Sequence, residues 1–238
     1  MNWRETPLFG FDTETTGIDV ETCRIVTACV GWANPATGTW SPVNWLLKQT
    51  KPIPAEATAI HGITTEQANA EGMDPAAAIA GIRDALDTYW RKGWPLCGYN
   101  LAYDLTLLDR ESRRHGLGGF APKGPIIDGY VADKTIDKYR KGSRKLAAVA
   151  AHHGITLTDD DAHGAEPDAL AATRLAWVLA PKLPDNAALL NAWQATNYRL
   201  QRQDFASYLR KQGKRREADE VLERLEWPIE PTPTQKAA

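Results

Sequence analysis

Cysteine is scarce in this chain of 238 residues: Cys23, Cys29 and Cys97 are an odd number, and no two form a CxxC pair. A disulfide framework and a zinc knuckle are both unsupported, so the thiols read as buried and reduced. Long apolar runs are also missing. No window approaches the roughly 20 apolar residues of a membrane span, and "MNWRETPLFGFD" has no apolar stretch behind a basic start. The expectation is a soluble, unexported, cytoplasmic protein with no membrane partner. Internal repeats are lacking, and so is an excess of one charge, the net value being −2. That balance argues neither for nor against nucleic acid.

What remains is an ordinary globular composition, 43% apolar and 24% charged, long enough for one sizeable domain and an appendage. Positive charge is concentrated locally in "KTIDKYRKGSRK" (Lys134 to Lys145) and "RLQRQDFASYLRKQGKRR" (Arg199 to Arg216). Each reads either as a solvated face or as a phosphate-binding surface.

"PLFGFDTET", "RIVTACVGWA" and "WSPVNWLL" read as three strands joined in an antiparallel meander. A helix follows over 74–92, capped by Asp74, with Ile79, Ile82, Leu86 and Tyr89 at helical spacing. "WPLCGYN" reads as a short buried strand, 102–115 as a helix and "PIIDGYVADK" as another strand. "SRKLAAVAAHHG" reads as a helix capped by Ser143. Pro167 suits the first turn of a helix reaching about Ala180. Beyond Pro184 two further helices are expected over 185–212 and 217–226, the first burying Leu189, Trp193, Leu200, Phe205 and Leu209. The fold class is therefore α/β, a mixed sheet flanked by helices. Residues 1–183 form the domain, 184–227 a helical extension and 228–238 a disordered tail.

Three motifs place carboxylates at meaningful spacing. In "FDTETTG", Asp12 and Glu14 are two apart on a strand and share a face. They repel unless a cation lies between them, or else they belong to an exposed edge strand. In "GYNLAYDLTLLDRE", Asn100 and Asp104 are four apart at a strand-to-helix junction, where an acid serves either the helix dipole or a ligand site. Asp109 and Glu111 are assigned to the helix's exposed face. In "LTDDDAHGAEPDALAAT", Asp168 falls in the first turn of a helix and His163 lies five residues earlier. On a continuous helix those two would be about 140 degrees apart, so His163 must sit on the preceding loop to reach the same site. Asp159, Asp160 and Asp161 read as solvated loop. Carboxylates brought together from separate places need cations, and oxygen-only ligation suits Mg²⁺ or Mn²⁺. Two such ions, roughly 3.5 to 4 Å apart, can clamp the attacking and leaving oxygens of a displacement at phosphorus, with a histidine as base.

Those motifs resemble the DnaQ-like exonuclease family, the DEDDh subgroup of the ribonuclease H-like fold. "FDTETTG", "YNLAYD" and "HGAEPD" match its three motifs in order, with H-x4-D spacing at His163 and Asp168. "IPAEATAIHGIT" and "KLAAVAAHHGI" are similar to flanking family segments, so the resemblance covers about Pro7 to Ala180. It implies two Mg²⁺ (or Mn²⁺) held by Asp12, Glu14, Asp104 and Asp168, with His163 as general base. It also implies that Thr13, Thr15 and Thr16 line the 3′-terminal nucleotide, with His61 and Asn100 nearby. His61 either contacts substrate or shapes the "IHGIT" turn, and Tyr99 and Tyr103 either stack on a base or pack in the core. Glu166 and Pro167 depart from the small or apolar residues common in relatives.

The function so implied is 3′ to 5′ hydrolysis of single-stranded or frayed DNA ends, releasing nucleoside 5′-monophosphates, with a DNA polymerase as a possible partner. The alternatives are an exoribonuclease of the oligoribonuclease or RNase T kind, and a silent end-binding module.

Overall fold

The computed structural model describes residues 3–34, 36–156 and 164–232. Among them, five strands form one sheet in the order β3-β2-β1-β4-β5. β1 (Leu8–Thr15), β2 (Ile25–Ala33) and β3 (Trp40–Leu46) make the expected antiparallel meander. β4 (Leu96–Gly98) and β5 (Ile126–Asp128) then run parallel to β1. No helix among the described residues is long and apolar enough to cross a membrane.

Alternation along β1 decides where everything else packs. Phe9 and Phe11 point into a core shared with Ile79, Ile82 and Leu86 of one helix and Leu101, Leu105 and Leu108 of another. In chain order the helices are α1 (Ala55–His61), α2 (Thr65–Glu71), α3 (Pro75–Arg91) and α4 (Leu101–Arg114). Next come α5 (Gly129–Ile136), α6 (Leu146–His152), α7 (Ala165–Leu179), α8 (Ala187–Lys211) and α9 (Arg215–Leu222). Asp74 caps α3 as expected, its carboxylate accepting from Ala77 N at 3.1 Å. The opposite face of the sheet belongs to α7. A Cβ on Gly10 would lie 2.6 Å from the Ala169 carbonyl oxygen, so only glycine lets this helix approach so closely. The alanine-rich character of α7 has the same cause: Ala165, Ala169, Ala172 and Ala176 are all buried at one face.

Several expectations need correction. "PIIDGYVADK" is strand only through Asp128; that carboxylate then caps α5, accepting from Tyr130 N at 3.0 Å, and helix capping overrides the apolar pattern. Ser143 does not cap α6; Lys145 occupies that place, and the Ser143 hydroxyl accepts from Lys145 N at 3.1 Å. Asp109 and Glu111 are buried rather than exposed, because the loop after β1 and residues 230–231 cover α4. Arg110 and Arg113 pair with Asp109, each at 2.9 Å, and Arg114 pairs with Glu111. Burial alone would raise the Asp109 carboxyl, but the arginines and the Phe120 N–H hold it below its usual range.

In α8 the inward stripe is Leu190, Gln194, Tyr198, Ala206 and Leu209, whereas Leu189, Leu200 and Phe205 are exposed and Trp193 is half-buried. Leu209 alone of the expected positions is fully buried. The register is set by polar groups. β5 is a sheet edge, and α8 satisfies it: Asn191 Oδ1 accepts from Ile126 N at 3.0 Å, and Gln194 Oε1 accepts from Asp128 N at 2.7 Å. Gln194 Nε2 also donates to the Ile126 carbonyl. The expected disordered tail fails for residues 228–232. Trp227 and Ile229 pack against the core, Glu230 N donates to Thr106 Oγ1 at 2.9 Å and Tyr198 Oη donates to Glu230 Oε1 at 3.0 Å. The remainder of that tail lies outside the described residues.

Replacing fully buried Gln194 with methionine keeps the side chain's length but leaves Asp128 N and Ile126 O without partners. Urea unfolding should show a loss of about 2 to 4 kcal/mol. A change within about 0.5 kcal/mol would mean that α8 is not needed to satisfy this edge.

Candidate active site

Asp12 and Glu14 alternate onto the α7 face of β1, while Thr13 points to the α4 face. Gly10, on the same face as Asp12, admits the first turn of α7, and with it Asp168. One carboxylate oxygen from each of Asp12, Glu14 and Asp168 lies within 4.8 Å of the other two. Asp104 arrives from the other layer, in the first turn of α4, and is buried. Thr13 Oγ1 donates to Asp104 Oδ1 at 2.5 Å, so β1 fixes this fourth acid from its opposite face. Acids from three segments thus lie near one another at the carboxyl end of β1.

Their electrostatics record the crowding. Burial, and after it the charges of Asp104, Asp168 and Glu14, push the Asp12 carboxyl well above its ordinary value. Burial and Asp168 raise Glu14 to about 7. Asp104 is raised to about 7 by burial, against the lowering effect of the Thr13 hydroxyl bond. Protein cations are absent from these causes, so each acid is held in a place that disfavours its own charge. An oxygen-only cluster of this kind fits a hard divalent cation, which would restore the ionised forms.

The other expected residues divide by what they touch. Thr15 and Tyr103 shape the turn after β1: their hydroxyls lie 2.8 Å apart, and both bond the Gly17 carbonyl. Thr16 Oγ1 accepts from Arg24 N at 2.9 Å. The hydroxyls of Thr13, Thr15 and Thr16 are therefore already engaged within the protein. Tyr103 packs at the edge of the core, and Tyr99 Oη donates to the Arg144 carbonyl. His61 shares a cavity of about 380 Å³ with Glu14, Trp45 and Pro167. Its Nδ1 accepts from Ile63 N at 3.1 Å, and burial lowers its pKa, favouring neutral imidazole. Asn100 is exposed at the start of α4, with a left-handed backbone at φ 66° that asparagine tolerates better than most residues. His163 and Asp159 to Asp161 lie outside the described residues.

Two supporting residues escaped the sequence reading. Asp128 accepts from Asn100 N at 2.9 Å and so holds the left-handed residue that opens α4. An aspartate ahead of Gly129 and Tyr130 could have been read as a helix cap. Glu166, noted only as a departure, accepts a hydrogen bond from the Asn44 side chain of β3. That bond ties the start of α7 to the far side of the meander.

Residues 9–176 match the family model described as Exonuclease, RNase_T. The chain belongs to this exonuclease family. An uncharacterized exonuclease, CP81, of Escherichia phage 186 is 35% identical over 117 residues, 48% of this chain and 54% of that protein. A DNA polymerase III subunit epsilon-like protein of Rhodobacter capsulatus is 29% identical over 188 residues, 75% of this chain and 25% of its own length. E. coli exonuclease I in complex with a dA16 oligonucleotide shares the fold at TM-score 0.62 and 17% identity, over 82% of this chain and 44% of that one. The chain thus spans about half the length, or less, of the relatives it matches.

The raised acids carry a stability signature. A carboxyl that titrates near 7 when folded and near 4.5 when unfolded binds more protons in the folded state between those values, so stability falls as pH rises through that window. With chelator present, the melting temperature should drop by roughly 4 to 8 °C between about pH 5.5 and 8, corresponding to on the order of 2 kcal/mol. Mg²⁺ or Glu14→Gln should flatten the profile. An equal drop in all three samples would remove the cluster as its cause.

Proposed function

We propose that the chain is a divalent-metal-dependent 3′ to 5′ exonuclease acting on single-stranded or frayed DNA ends and releasing nucleoside 5′-monophosphates. The observation that carries this reading is the convergence of Asp12, Glu14 and Asp168 within 4.8 Å, with Asp104 beside them, in an exonuclease-family fold. Supporting it, a relative of the same fold holds a single-stranded oligonucleotide. Similarity to a DNA polymerase III subunit epsilon-like protein supports a place beside a DNA polymerase.

In this reading Asp12, Glu14, Asp104 and Asp168 hold two Mg²⁺ or Mn²⁺ ions. When bound, these supply neutralisation of charge at phosphorus and at the leaving 3′ oxygen. The chain's own residues do the rest. Thr13 keeps Asp104 from turning away, and Gly10 keeps Asp168 against β1. His163, on the segment that enters α7, takes the proton of the attacking water. Thr13, Thr15, Thr16, His61, Asn100 and Tyr103 would line the terminal nucleotide, the threonines through their backbone because their hydroxyls are engaged within the protein. Water adds to the terminal phosphorus, the P–O3′ bond breaks, and the shortened strand keeps a 3′-hydroxyl.

Matched 5′-labelled and 3′-labelled DNA and RNA oligomers, digested with Mg²⁺, test polarity and sugar preference together. Stepwise shortening of 5′-labelled DNA is expected; faster loss of RNA would assign the chain to exoribonucleases instead. Asp12→Ala should abolish hydrolysis, and full activity in that variant rejects the metal assignment. His163→Ala should lower turnover by about 10² to 10⁴ while end binding persists. Because neutral imidazole is required, the wild-type rate should climb with pH as the histidine loses its proton. A rate unchanged by His163→Ala would move the role of base elsewhere.

A further inference from the structure

Two cavities adjoin α8, and charge tells them apart. The larger, about 620 Å³, shares Arg202 and Phe205 with the smaller and sets Asp19, Glu217, Glu220 and Glu223 against Arg202 and Arg224, an excess of acid that disfavours a polyanion. The smaller, about 520 Å³, has Tyr99, Tyr130, Lys134 and Lys145 on one wall and Arg202 and Phe205 of α8 on the other. No carboxylate is among its lining residues.

We propose that this smaller groove holds single-stranded nucleic acid upstream of the 3′ end at the acidic site, an inference that rests on the exonuclease reading above. Placement is the first argument. Asn100 lines the groove and opens α4, whose first turn carries Asp104, so the groove begins where the acidic site ends. Both occupy the crevice beyond the carboxyl ends of the parallel strands β1, β4 and β5, where open α/β sheets bind their ligands.

Charge bookkeeping within the two basic segments is the second argument. Arg140 and Arg144 are taken up by Asp133, and Lys138 by Asp204. Arg210, Lys214 and Arg216 bridge to Asp219, Glu217 and Glu220. Lys134 instead bonds the Tyr130 hydroxyl at 3.1 Å and lies 4.7 Å from its ring, with no carboxylate partner among the described residues. Lys145 is exposed and likewise has none. Arg202 reaches one acid, Glu230, at 4.0 Å. Lys141, Arg199, Lys211 and Arg215 also lack a carboxylate partner among the described residues but are not among the residues lining the groove; Lys134 and Lys145 are the unpaired cations that line it.

The rings supply the third argument. Tyr99 and Tyr130 meet edge to face at 5.6 Å, and Phe205 on the facing wall is 45% exposed. Interleaved cations and aromatics suit phosphates and unstacked bases together, with little regard for sequence.

The test uses the full chain with Mg²⁺ on a fifteen-nucleotide dT oligomer and on a dT dinucleotide, together with binding of the labelled oligomer in EDTA across a salt series. Lys134→Gln/Lys145→Gln should raise KM for the oligomer by about tenfold or more and reduce the slope of log affinity against log salt by about 1.4. Phe205→Ala should weaken oligomer binding by about tenfold. Both variants should keep the wild-type rate on the dinucleotide and the wild-type melting temperature. Arg215→Gln/Arg216→Gln removes equal charge on α9 and should change neither slope nor KM. An unaltered slope and affinity in the groove variants, or an equal loss in the α9 control, overturns the proposal. Inactivity of the wild type on both substrates would sink the exonuclease reading, while the salt series would still decide the groove.

Discussion

Mutual repulsion among acids at the end of β1 is the constraint to which the rest of the molecule answers. Such acids drift apart unless the surrounding structure leaves them nowhere to go. Two rigid layers do this from opposite faces of one strand. Gly10 brings α7 so near the sheet that Asp168 has no room to retreat, and Thr13 ties Asp104 to the backbone that also carries Asp12 and Glu14. Burial then raises the acids' affinity for protons, and equally their appetite for a cation. Local destabilisation of this sort persists only where the scaffold around it is firm.

Much of this was legible in the sequence because short-range physics governs it. Period-two alternation placed Asp12 and Glu14 together, and helix-start chemistry placed Asp104 and Asp168 in first turns. The same reading failed where tertiary partners overrode local pattern. Asp109 and Glu111 look like a solvated face until it is known that residues 230–231, more than a hundred positions away, bond Arg110 between them. The α8 stripe was misplaced because apolar residues were counted, whereas Asn191 and Gln194 set the register by bonding a sheet edge that periodicity cannot reveal. The basic segments look alike in sequence. Only the positions of Asp133, Asp204 and the α9 acids separate their neutralised cations from those that remain.

The C-terminal region accordingly belongs to the same structure as the site. α8 bonds β5, and β5 ends in Asp128, which holds Asn100 and through it the start of α4. Tyr198 and Arg110 anchor Glu230 and Pro231 across the same helix. A disturbance in the extension therefore has a short covalent and hydrogen-bonded route to Asp104.

The pairing of β5 with α8 has a further consequence, for self-association. A sheet edge is the surface on which a second chain most readily adds a strand. Here Asn191 and Gln194 occupy one edge with side chains, and at the other edge β3 carries Pro42, which has no N–H to offer. The sheet is blunted at both ends against runaway strand addition, leaving side-chain surfaces as its means of contact with other molecules.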